Sequence, residues 1–166
     1  MIPFSKRFPE LGPRETRLLC FKDDGSFPRG KYGFHESYCE EEGCDCRRAL
    51  LTVLEESAPA KVWATISFGW LALEVFTDAE LNALGATASG AFLDPSYPQS
   101  EQAAEFLDLF ESMITRDPAY VERLKRHYAM FKTAPSPWSR SWQTPHSAAR
   151  AQRPKPELLK KRKMVQ

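Results

Sequence analysis

No stretch of this 166-residue chain is long and apolar enough to cross a bilayer, which takes about 20 consecutive apolar residues in a helix. The longest candidate, residues 62–76, is short and carries Thr65, Ser67, Gly69 and Glu74. No secretory leader opens the chain either: Met1-Ile2-Pro3-Phe4-Ser5-Lys6-Arg7 runs into proline and charge rather than an apolar core. A soluble, cytoplasmic protein is the expectation. Catalytic signatures are missing as well. There is no H-E-x-x-H helix, no nucleotide-binding glycine loop and no G-x-S-x-G elbow, and no internal repeat. Charge of one sign is scarce too, since the formal net charge is +1, but it is unevenly placed. Residues 147–166 hold seven basic side chains and one acid, which leaves 16 basic and 21 acidic in the rest. A mildly acidic body with a basic tail is not the pattern of a dedicated nucleic-acid-binding domain.

Cysteine is sparse overall but concentrated. Of four cysteines, Cys39, Cys44 and Cys46 lie within eight residues in the spacing C-x4-C-x-C, around Gly43. Glycine can take a positive φ and turn the chain back on itself, so three thiolates can converge on one ion. In a reducing compartment clustered cysteines read as metal ligands or redox groups rather than structural disulfides. Zinc, which takes sulfur and nitrogen ligands in tetrahedral geometry, is the expected ion. Arg47 and Arg48 follow at once and could favour thiolates, although a solvated strand start beside Glu40, Glu41 and Glu42 is the simpler reading.

Candidates for a fourth ligand are His35, His127, Cys20 and Asp45. His35 gives H-x3-C-x4-C-x-C, but on a regular strand residues four apart are separated by about 13 Å. Cys20 falls opposite Phe34 in a hairpin centred near Phe27. His127 shares a helical face with Leu124, Tyr128 and Phe131, where a satisfied core histidine is the better reading. None is singled out.

Hydrophobic residues make up 42% of the chain and aromatics 12%, enough to fill the core of one domain. Residues 1–14, with three prolines, read as an irregular lead-in. Strands are predicted at 16–22, 32–39, 48–54 and 61–68, with Gly69-Trp70 as a bulge before a fifth at 71–76. Tyr32, Phe34 and Tyr38 share one face of the second strand. A short helix follows at 77–84, capped by Thr77 and Glu80; one continuous helix over 71–84 is the alternative. Residues 86–99 read as a loop. Ser100 then caps a helix to 115 whose apolar face is Ala103, Phe106, Leu107, Phe110, Met113 and Ile114. Asp117-Pro118 opens another, to 132, presenting Val121, Leu124, Tyr128 and Phe131. The fold class is therefore α+β: an antiparallel sheet of four or five strands packed against a C-terminal helical hairpin, over residues 15–132. Residues 133–166 are expected to be a disordered Pro/Ser-rich linker and basic tail, with Lys160, Lys161, Arg162 and Lys163 as candidates for weak nucleic-acid contact.

Two segments, Tyr38-Cys39 through Cys44-Asp45-Cys46-Arg47-Arg48 and Asp117-Pro118-Ala119-Tyr120-Val121-Glu122-Arg123-Leu124-Lys125-Arg126-His127-Tyr128, resemble a family of uncharacterised bacterial proteins. The resemblance implies a bacterial, cytoplasmic origin and no particular activity. The Cys-x-Cys is similar to SEC-C-type zinc motifs, but the paired cysteine or histidine that ends such a motif is missing, so that assignment does not carry over. The expected function is a binding or accessory module with a structural zinc and an unknown protein partner, not associated with a membrane. The other reading is a thiol-based redox protein or enzyme using the same cysteines.

Overall fold

The structure, a computed structural model, describes residues 1–22, 27–71 and 89–134. The chain runs β1 (Ile2–Pro3), α1 (Phe4–Arg7), α2 (Leu11–Glu15), β2 (Arg17–Phe21), β3 (Gly30–Tyr38), β4 (Arg48–Glu55), β5 (Ala58–Trp70), β6 (Ser89–Leu93), α3 (Ala103–Arg116) and α4 (Pro118–Thr133). These elements all belong to one unit, Met1–Pro135. The helix expected at 77–84, its alternative over 71–84, most of the fifth strand expected at 71–76 and the basic tail lie outside the described residues.

All strand pairs are antiparallel and every strand from β2 to β6 neighbours its successor, the meander that sequential connection favours. β1 and β2 both pair with β3: β2 along Gly30 to Phe34, β1 at Ser37 and Tyr38. The sheet thus has the α+β form expected, with three corrections. β5 continues through Gly69 and Trp70, with Phe68 and Gly69 in register with Ala49 and Arg48 on β4 and Gly69 and Trp70 with Gly90 and Ser89 on β6, so no bulge lies there; the irregularities fall at Val53/Leu54 and Leu54/Glu55. Residues 89–93, read as loop, form β6 against Ile66 to Trp70. Residues 1–14 are not irregular but hold β1, α1 and α2. Their prolines are compatible with that. Pro3 precedes α1, and Pro13 lies in the first turn of α2, where no N–H is required.

Beyond β6 the edge of β5 is held by side chains. Gln99 accepts from the Thr65 N–H and donates to the Thr65 carbonyl, both at 2.9 Å, as a neighbouring strand would. Ser100 donates to Trp63 O at 2.6 Å and accepts from the Gln102 N–H, but it does not cap α3 as expected: the helix starts at Ala103 with Gln102 at its cap, two residues further on. Asp117 caps α4 as predicted, accepting from the Tyr120 N–H at 3.2 Å with Pro118 behind it.

The apolar faces read from the sequence meet as expected. α3 lies over β5 and β6, and α4 over β3 and β4 and against α1. Phe106 is fully buried at the centre of the larger cluster, against Phe27, Tyr32, Phe34 and Trp63. Deleting such a ring leaves a cavity that packed neighbours cannot close, so Phe106→Ala should cost about 3–5 kcal/mol in denaturant unfolding. A smaller cluster gathers Phe4, Tyr38, Ala49, Tyr128 and Phe131 beneath the cysteine loop, with Cys46 packed against it. Among the described residues no helix is long and apolar enough to cross a membrane.

Candidate metal centre

The cysteines sit on the loop joining β3 to β4, immediately after the buried Tyr38. The loop turns as its glycine suggests. Gly43 has φ +76°, and the Cys44 N–H donates to Glu41 O at 3.3 Å across the turn. Lys132 near the end of α4 donates to the same carbonyl at 3.0 Å.

The far end is anchored more heavily. Arg47 occupies the left-handed region at φ 43°, a conformation that costs a non-glycine residue energy and persists only when its surroundings enforce it. Here they do. Its guanidinium grips Asp45 Oδ2 through Nε at 3.0 Å and Nη2 at 2.9 Å, and its carbonyl accepts from the Trp70 N–H at 3.1 Å. Tyr128 of α4 donates to Asp45 Oδ1 at 3.2 Å and accepts from the Arg47 N–H at 3.4 Å. The Asp45 carboxyl is accordingly held below its usual range, chiefly by Arg47.

These restraints bring the Cys39, Cys44 and Cys46 sulfurs within 4.8 Å of one another, all three half-buried. Sulfurs around a tetrahedral zinc, at Zn–S of about 2.3 Å, stand roughly 3.8 Å apart. A contraction of an ångström or less would let all three ligate one ion. The cluster can hold a metal. Burial pushes the Cys46 thiol up to about 11, with the Cys44 and Cys39 neighbours adding to the rise. Arg47, spent on Asp45, does not reverse it.

None of the four candidate fourth ligands joins this group. Asp45 is engaged by Arg47 and Tyr128. Cys20 is exposed on β2 and pairs with Lys31 rather than Phe34, because the hairpin closes nearer its own start. The His35 ring folds back over Gly33, where an added Cβ would come within 2.8 Å of Nε2, and so leads away from Cys39. His127 is 1% exposed and fully engaged: Nδ1 lies 2.6 Å from Glu36 Oε2 and Nε2 3.0 Å from Glu15 Oε2. Lys160, Lys161, Arg162 and Lys163 lie outside the described residues.

The His127 cluster is the part sequence reasoning missed. Glu36 Oε2 also accepts from the Tyr38 hydroxyl at 2.8 Å, Arg126 pairs with Glu15, and the Phe4 ring stacks on the imidazole at 4.1 Å. Burial and the Glu36 charge hold the Tyr38 phenol well above its usual range. The available signal was Glu36 itself, an acid in phase with Tyr32, Phe34 and Tyr38 on the inward face of β3. Comparison of the chain with protein-family models, with curated proteins and with solved structures finds no match in any of the three.

Proposed function

We propose that the protein is a binding or accessory module whose β3–β4 loop is organised by a structural zinc ion held by Cys39, Cys44 and Cys46. The observation that carries this reading is the convergence of three sulfurs on a loop fastened at both ends to α4. Three soft donors in a compact, half-buried loop suit zinc among common divalent ions. The fourth position falls to water or to a donor outside the group.

A redox role for the same cysteines is the competing reading, and the Cys46 environment disfavours it. A reactive thiol needs a depressed pKa in an electropositive setting, whereas burial and two neighbouring thiols raise this one. An ion binding there must displace the thiol protons, so zinc affinity should fall as the pH drops. Thiol labelling separates the two readings. A zinc-held cluster reacts slowly until a chelator is added and then fast; cysteines that label at once, with or without chelator, contradict the zinc reading.

A further inference from the structure

Resting on the zinc reading above, we propose that the ion held by Cys39, Cys44 and Cys46 keeps an exchangeable fourth position on the outer side of the β3–β4 loop. That position takes a neutral imidazole from another molecule. Zinc with three protein ligands leaves one vertex for water or an incoming group, and the packing of the loop decides where it lies. The inner side is closed. Cys46 packs against Phe4, Tyr38, Tyr128 and Phe131. Both hydroxyls of that floor are engaged, Tyr38 with Glu36 Oε2 and the Leu124 carbonyl, Tyr128 with Asp45 Oδ1 and the Arg47 N–H. The outer side is open. Glu40, Glu41, Glu42, Gly43 and Asp45 are all exposed, and a Cβ built on Gly43 would meet nothing within 4 Å. No other His, Cys, Asp or Glu among the described residues joins the three sulfurs.

Charge selects the donor. Zinc with three thiolates carries one net negative charge. The ammonium of Lys132, bonded to the Glu41 carbonyl at 3.0 Å, can offset it, while the Arg47 guanidinium is taken by Asp45. A thiolate or carboxylate in the fourth position would bring a second negative charge beside Glu40, Glu41 and Glu42, at a desolvation cost. A neutral imidazole adds none. Its nitrogen lone pair replaces that of the bound water, no proton moves, and the product is a three-cysteine, one-histidine set of the kind zinc favours. Thiolate charge also weakens the ion's pull on its water, the opposite of what an activated zinc hydroxide requires. Of the chain's three histidines, His35 leads away from the cluster, His127 is engaged and His146 lies outside the described residues.

The test is cobalt(II) in place of zinc in the full chain, read by visible absorption at a pH where imidazole is neutral. The sulfur-to-cobalt charge-transfer band reports the three thiolates, and the ligand-field bands report the fourth donor. Imidazole, and N-acetylhistidine amide as a side-chain equivalent, should shift the ligand-field bands to a saturating one-to-one end point. The charge-transfer band should keep its intensity throughout. Acetate should change neither, and His146→Ala should behave as wild type. Cobalt held by three thiolates with ligand-field bands that imidazole does not move overturns the proposal and leaves the zinc reading standing. So does a shift that acetate reproduces. An imidazole-type spectrum present before any is added overturns it too, and its loss in His146→Ala would assign the donor to the chain itself. A chain that shows no charge-transfer band overturns both readings.

Discussion

Zinc-loaded protein carrying Cys46→Ser should melt on the order of 10 °C below wild type. Cys46 is packed against the cluster of Phe4, Tyr38, Tyr128 and Phe131, and its loss leaves only Cys39 and Cys44 to hold the ion. A ligand present at about 1,000 times its Kd stabilises the fold by about 4 kcal/mol, and each kcal/mol shifts the melting point of a chain this size by about 2–4 °C. The damage should be local. Asp45, Arg47 and Tyr128 still anchor one end of the loop, and α3 packs on β5 and β6, away from it. Helical circular dichroism at low temperature should therefore match wild type, and in excess chelator the two proteins should melt nearly together. A difference that persists undiminished in chelator would mean the cysteine acts by packing, not by ligation.

His127→Ala should cost about 3–5 kcal/mol, because it leaves a cavity and strips the buried Glu36 carboxyl of its 2.6 Å partner. Glu36 would retain only the Tyr38 hydroxyl, and Phe4 would lose the ring on which it stacks. The measurement is urea unfolding of the single variant beside the double variant Glu36→Leu, His127→Leu. An apolar pair of similar volume can replace a buried ion pair at little cost, so the double variant should be more stable than His127→Ala. A His127→Ala cost below about 1 kcal/mol would contradict the account, since a surface-like pair is worth no more than that.

The legibility of these features in the sequence follows from how local each one is. The cysteine loop was readable because its three sulfurs and Gly43 lie within eight residues, and helices α3 and α4 because their apolar period spans several turns and Asp117-Pro118 marks the boundary. The His127 cluster joins residues 91 and 112 positions apart, beyond any window of periodicity. Glu36 nevertheless sat in phase with three inward aromatics, and an acid there requires a buried partner. β6 was missed because Ser89-Gly90-Ala91-Phe92-Leu93 is short and glycine-broken; only the length of β5 gives it an edge to pair with. In the lead-in the prolines suggest disruption, but Pro3 lies at a helix cap and Pro13 in a first turn, the positions a helix tolerates.

The most direct measurement is the zinc content of the full chain purified without chelator. The account predicts about one zinc per chain in the wild type, retained through gel filtration, and none in the Cys44→Ser, Cys46→Ser double variant. A wild-type protein that carries no zinc, and takes up none when fully reduced and offered it, contradicts the assignment of Cys39, Cys44 and Cys46 as a metal centre.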